Sequence, residues 1–272
     1  MISFIQVRAK EEYRARIIAA NNILNALLMV IAAVSGVVFI GLLDFSIPEF
    51  FLLIAIINIA VSIYIFSVIP EFVLRFLVRI ISRTIYSIKH TNLKNIPDKG
   101  PAVIVSNHVS YVDGLIIGGA CRRPIRFVVF EPIFRAPLLN TFFRFCKAIP
   151  ITGQKQNSVA YRKAFESIEK TLDEGELVCI FPEGHLTPDG DIHEFKRGIE
   201  KIIKDRPVPV IPVALKGLWG SFFSRKDNKA MRRLPRGLRS KIGLTVGDPV
   251  NPQEVTAEKL EETVKNLRGN QS

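Results

Sequence analysis

At 272 residues the chain is long enough to bury a core in one large domain or two modest ones. Its 37 Lys and Arg against 25 Asp and Glu give a net charge of +12, which points to an anionic partner: anionic lipid, nucleic acid or an acidic carrier protein. Cys121, Cys146 and Cys179 are odd in number, widely spaced and without a C-x-x-C pair, which argues against a disulfide framework and a zinc site and fits a reducing, cytosolic setting.

With 48% hydrophobic and 23% charged residues, the apolar side chains must be unevenly placed, and they concentrate before residue 90. Residues 17–43 and 50–70 carry no charge, and each run is long enough to cross a hydrocarbon layer of ~30 Å as a helix. The link between them holds Asp44 and Glu49 and no base. Arg8, Lys10, Arg14 and Arg16 precede the first run, and Arg75, Arg79 and Arg83 follow the second, so both ends are expected on the cytoplasmic side. A cleavable signal peptide fits poorly, because the first apolar run is too long.

Over 72–88 the three arginines recur every fourth residue, and Phe72, Leu74, Phe76, Leu77, Ile80, Ile81 and Ile85 fill the remaining faces. The pattern predicts an interfacial helix whose guanidinium groups reach towards phosphates; an ordinary buried helix with three exposed arginines is the alternative. Pro97, Asp98, Gly100 and Pro101 then give the composition of a linker. The expected organisation is a transmembrane hairpin over 1–71, the basic helix and linker over 72–100, and a catalytic domain over 101–272.

Past Pro101 the sequence alternates short apolar runs with amphipathic segments of helical length. Strands are predicted at 102–105, 126–130, 177–181, 208–214 and 242–246, and helices at 112–120, 137–145, 158–173, 194–203 and 252–267. The fold class that follows is α/β, a central β-sheet flanked by helices. Asn107-His108 and Pro182-Glu183-Gly184 then fall directly after strands, where such folds deliver functional groups to a crevice.

His108 and Asp113 form an acid-base pair in principle. A neutral imidazole takes a proton from a hydroxyl near physiological pH, and a carboxylate on its second nitrogen fixes the tautomer and stabilises the imidazolium. Five residues apart on one helix, the two side chains would diverge by about 140°. A turn is therefore required at His108, with the helix beginning near 111–113. The spacing alone is a weak signal, and Asp113 as a helix cap beside a polar loop histidine is its competitor. Ser110 lacks the G-x-S-x-G elbow expected of a nucleophile.

Three further segments follow in order: Ala148-Ile149-Pro150-Ile151, Phe181-Pro182-Glu183-Gly184 and Val208-Pro209-Val210-Ile211-Pro212-Val213. Together with the 107–114 segment these resemble the glycerolipid (lysophospholipid/1-acylglycerol-phosphate) acyltransferase family. Cys121-Arg122-Arg123-Pro124-Ile125-Arg126-Phe127, Gly217-Leu218-Trp219-Gly220-Ser221-Phe222-Phe223 and residues 15–26 are similar to the bacterial subgroup fused behind a major-facilitator transporter, of which only the last two helices would remain here. The resemblance implies acyl transfer from acyl-CoA or acyl-carrier protein to the hydroxyl of a lysophospholipid. His108 would act as general base and Asp113 as its orienting partner. Phe181, Pro182, Glu183 and Gly184 would hold the acceptor, with Lys196 or Arg197 offsetting the charge of Glu183. It implies no metal and no cofactor beyond the acyl donor as co-substrate, and a bacterial inner-membrane location with the catalytic domain cytoplasmic. Two departures bear on the acceptor: Thr152 and Gly153 stand where many members carry a base, and His185 and Leu186 stand where a small hydroxyl residue is common.

Between Arg225 and Lys241 eight basic residues face one acid, Asp227, beside Leu218, Trp219, Phe222 and Phe223. Such a strip suits an anionic bilayer or an acidic carrier protein, with a solvated basic loop as the alternative. Nucleic acid is disfavoured, since no recognisable nucleic-acid module accompanies the charge. A lysolipid-binding membrane protein without catalysis, and an acyltransferase with a non-phospholipid acceptor, remain as rival expectations.

Overall fold

The computed structural model describes residues 11–68, 70–137, 139–225 and 240–269, and the chain divides into two compact units, Met1–Val68 and Ile69–Ser272. In the first unit α1 (Glu11–Gly36) runs on through a π-helical stretch (Val37–Leu42), and α2 spans Ile47–Val68. Each is long and apolar enough to cross a membrane. The entry to α2 has a local cause in Ser46-Ile47-Pro48-Glu49: the Glu49 carboxylate accepts from the Ser46 N–H at 2.8 Å and from its hydroxyl at 2.7 Å. The bond to the Ser46 N–H is the carboxylate half of a capping box, at a helix start that also places a proline in its first turn.

The second unit opens with α3 (Pro70–Ile85), followed by β1 (Tyr86–Thr91), β2 (Ala102–Ser106), α4 (Asp113–Ala120), β3 (Ile125–Phe130), the short α5 (Glu131–Phe134) and α6 (Leu139–Phe145). Then come β4 (Ile149–Ile151), α7 (Ser158–Asp173), β5 (Leu177–Ile180), α8 (Gly198–Asp205), β6 (Val210–Lys216), β7 (Ser240–Val246) and α9 (Ala257–Arg268). Seven strands form one sheet in the order β1-β7-β6-β2-β5-β3-β4, every neighbouring pair parallel except β6 with β7. The α/β class with helices around a central sheet is therefore observed.

Two cores sandwich the sheet, as the period of two along a strand demands. Ala102, Ile104, Leu177 and Cys179 pack with Ile116 and Ile117 of α4, while Val103, Val105, Val178 and Ile180 pack with α7, α8 and α9 through Ile168, Ile199 and Leu260. This is why 102–105 reads as unbroken apolar sequence.

Three local expectations change. β1 was not foreseen: Tyr86 to Thr91 lies within the segment read as helix and linker, yet it pairs along its whole length with β7. β4, inside Ala148-Ile149-Pro150-Ile151, is likewise an edge strand. On α3 two of the three arginines turn inward, while Arg83 is exposed. Arg75 donates to the Arg122 carbonyl at 2.9 Å and Arg79 to the Gly119 carbonyl at 3.2 Å, capping the C-terminal end of α4, while Phe76, Leu77, Ile80 and Ile81 are exposed. Gly119 permits that approach, since a Cβ there would lie 2.8 Å from the Ser82 hydroxyl.

Candidate active site

β2 and β5 are parallel neighbours with Val105 opposite Ile180, so the residues that follow their C-terminal ends emerge side by side. Parallel strands about 4.8 Å apart thus bring His108 and Glu183 together from positions 75 residues apart in sequence. Asn107 fixes the exit of β2. Its buried side-chain amide donates to the Leu215 carbonyl at 3.0 Å and accepts from the Leu215 N–H at 2.8 Å, acting as one more rung towards β6.

The chain then turns, and α4 begins at Asp113, as the five-residue spacing required. Oδ2 of the fully buried Asp113 receives three N–H groups: His108 Nδ1 at 2.9 Å, the Val109 backbone at 2.6 Å and the Ser110 backbone at 2.8 Å. Asp113 therefore pins the turn that leads into α4 and orients the histidine with the same oxygen. A carboxylate oxygen loaded in this way only accepts, so Nδ1 carries the proton and Nε2 keeps the lone pair. Among the described residues Nε2 has no hydrogen-bond partner, and the side chain is 23% exposed. The Phe181 ring stacks on the imidazole, with centroids 4.2 Å apart and planes 18° apart. The Ser110 hydroxyl is fully buried and unpaired among the described residues, which removes it as a nucleophile.

Glu183 stands in the turn that follows β5. It is 1% exposed and turned inward, its Oε1 accepting from the His108 N–H at 2.7 Å and its Oε2 from the His193 N–H at 3.1 Å. Burial pushes its carboxyl above the ordinary value of 4.5, opposed by those two backbone donors. Its observed contacts brace the backbone that carries His108, and they come from N–H groups, not from Lys196 or Arg197. Pro182 is buried and its carbonyl accepts from the Lys196 N–H at 3.0 Å; Gly184 is exposed at φ +71°, a left-handed turn closed by its N–H on the Phe181 carbonyl.

The loop after Gly184 completes a bracket that sequence reasoning missed. The Thr187 N–H donates to the His108 carbonyl at 2.9 Å, so both backbone groups of His108 are held by the 183–187 segment. Asp189 staples that loop, its Oδ1 accepting from the Thr187 hydroxyl and the Asp191 N–H, each at 2.9 Å, and lying 2.9 Å from His193 Nε2. The Asp191 N–H leads in lowering the Asp189 pKa to about 2. The T-P-D-G run from Thr187 to Gly190 was a readable turn signal for this loop.

Glu183→Gln tests the brace. An amide can accept with its oxygen but not with its nitrogen, so one of the two N–H groups is left facing another donor, at a cost of about 1–3 kcal/mol. The raised folded-state pKa adds a pH signature. Stability from this group is present below the unfolded value and is lost as pH rises through the folded one. Above 4.5, therefore, wild type is expected to lose stability with rising pH relative to Glu183→Gln. Thermal unfolding of both proteins across that range checks the sign.

Residues 87–216 match the family model described as Acyltransferase. The chain is similar to a probable 1-acyl-sn-glycerol-3-phosphate acyltransferase of Mycoplasma pneumoniae, 28% identical over 190 residues, covering 67% of this chain and 70% of that protein. It is similar also to a 1-acyl-sn-glycerol-3-phosphate acyltransferase of Pseudomonas aeruginosa, 29% identical over 138 residues, and there it spans about half of the relative, 52%. The crystal structure of the 1-acyl-sn-glycerophosphate (LPA) acyltransferase from Thermotoga maritima shares the fold, with a TM-score of 0.52 at 24% identity over 66% of this chain and 70% of that one.

Proposed function

We propose that this chain, whose residues 87–216 match the Acyltransferase family model, moves a fatty acyl group from acyl-CoA or acyl-carrier protein to the free hydroxyl of a lysophospholipid of the lysophosphatidic acid or lysophosphatidylethanolamine type. The observation that carries the reading is the 2.9 Å contact of His108 Nδ1 with Asp113 Oδ2, which leaves Nε2 open at the mouth of the sheet. In the proposed reaction Nε2 takes the proton of the acceptor hydroxyl as its oxygen attacks the thioester carbonyl. The tetrahedral intermediate collapses with cleavage of the C–S bond, and the leaving thiolate receives the same proton from the imidazolium. An ester and a free thiol result, with no covalent enzyme intermediate. Asp113 stabilises the cation that exists between the two transfers. Phe181 restrains the ring, Glu183 acts through the His108 backbone, and Pro182 and Gly184 shape the turn beside the acceptor.

The hairpin Glu11 to Val68 would anchor the enzyme in a bacterial inner membrane with both ends cytoplasmic, as the arginines before and after it suggest. The transporter-like character of residues 15–26 belongs to the same proposal. The basic strip 225–241 as a bilayer or carrier-protein contact is also part of it, though 226–239 lie outside the described residues.

A second reading, an acceptor without a phosphate, draws on Thr152. Its side chain is buried and donates to Gln156 at 3.1 Å, so this position supplies no cation. Purified enzyme given acyl-CoA and acyl-carrier protein in turn, against lysophosphatidic acid, lysophosphatidylethanolamine and monoacylglycerol, tests both. Preferred turnover of a lysophospholipid is the expected result. Turnover of monoacylglycerol alone supports the second reading, and lysolipid binding without transfer from either donor refutes both.

A further inference from the structure

The segment that follows β6 grips the catalytic turn from two sides. At its far end it pairs with the turn directly: the Tyr111 N–H donates to the Phe223 carbonyl at 3.2 Å, and Ser110 and Ser224 form an antiparallel bridge. At its near end Leu218 is buried in the core and the half-buried Trp219 lies on Gly190. A Cβ on that glycine would sit 2.7 Å from Cδ2 and 2.8 Å from both Cδ1 and Cε2 of the indole, and nearly equal distances to three ring atoms place the ring face over the glycine. Gly190 is in turn tied to His108. Its N–H donates to the Thr187 hydroxyl at 3.0 Å, and the Thr187 N–H donates to the His108 carbonyl at 2.9 Å. Arg268 of α9 donates to the Gly190 carbonyl at 3.0 Å.

The run 217–224 thus bears on the His108 carbonyl through Gly190 and Thr187, and on Tyr111 through Phe223. We propose that Trp219 is a positioning residue for the reaction: its indole, packed on Gly190, sets the place of the Thr187–Gly190 turn and, through it, the place of His108 Nε2. The indole takes no part in bond making. A general base depends on its place, since a displacement of about 1 Å can cost about 100-fold in rate. Without the ring the loop keeps its other supports, the Asp189 staple and Arg268, so loss of the indole shifts the loop and does not unravel it. Glycine suits position 190 for two reasons: its φ is +95°, and any side chain there would meet the ring. The assignment rests on the proposed acyl transfer at His108.

In the full chain in detergent, Trp219→Ala is expected to lower kcat about 10- to 100-fold per folded enzyme while KM for lysophosphatidic acid moves less than about threefold. Trp219→Phe, which keeps a ring over Gly190, should recover most of the loss. Gly190→Ala drives a methyl group into the ring and should lower kcat in the same way. Introduced beside His108→Ala, Trp219→Ala should cost nothing further, because it acts through the imidazole. Unchanged kcat per folded enzyme, or a second full-size fall beside His108→Ala, overturns the assignment. A raised KM with kcat retained makes Trp219 a lipid contact and overturns it too. Amide hydrogen exchange separates this from the fate of the transfer reaction. Trp219→Ala should speed exchange in peptides covering 107–113 and 183–193 and leave those of α7 unchanged. That result without transfer by wild type refutes acyl transfer and keeps the tie between Trp219 and the His108 turn, whereas unchanged exchange over 107–113 refutes Trp219 whatever the turnover.

Discussion

His108→Ala is expected to lower kcat by about 10²- to 10⁴-fold, the range that a positioned general base supplies. The loss should fall on turnover and not on folding. The bonds that fix residue 108 in place are made by its backbone, the N–H to Glu183 and the carbonyl to the Thr187 N–H, and alanine keeps both. Among the described residues the imidazole contributes its bond to Asp113 and its stack on Phe181. A thermal unfolding midpoint close to wild type beside a collapsed kcat is therefore the outcome to look for. Unchanged turnover would remove His108 from the reaction.

Asp113→Asn should lower kcat by about 10³- to 10⁴-fold for a different reason. The amide oxygen can take the place of Oδ2 and still accept from Val109, Ser110 and His108, so the turn and the start of α4 survive. The amide nitrogen would then occupy the place of Oδ1, which is buried and unpaired among the described residues, at a cost of about 1–3 kcal/mol in stability. What the substitution removes outright is the negative charge against the imidazolium. Kinetics and unfolding measured on one preparation separate the two: a large fall in kcat with a modest fall in stability fits a partner of the base. Loss of stability with kcat retained in the folded fraction would make Asp113 a brace of the 108–110 turn and nothing more.

Much of this site is legible in sequence because its parts are local. The turn from Asn107 to Gly114 and the turn from Phe181 to Gly184 each follow an apolar strand, and the five-residue spacing of His108 and Asp113 demands the break that precedes α4. What escaped reading depends on long-range pairing. Tyr86 to Thr91 is short and carries Lys89 and His90, and it becomes a strand only because β7 lies beside it. Asn107 gains its function from Leu215 and Thr187 from the His108 carbonyl, and neither partner is near in sequence. The direction of Glu183 was hidden similarly. A carboxylate in a conspicuous turn suggests a ligand contact, yet two backbone N–H groups claim its oxygens from within. On α3 a four-residue period fixed which arginines share a face, but only the packed α4 determines that Arg75 and Arg79 face the domain.

The most direct test of direct, base-assisted transfer follows both products in one reaction. Wild-type protein is given acyl-CoA with a labelled acyl chain and lysophosphatidic acid, and free thiol and labelled lipid are measured together. The expected result is one new lipid ester for each thiol released, with no label retained on the protein. Thiol release without lipid ester, or acyl label that remains on the protein after acceptor is withheld, would contradict it.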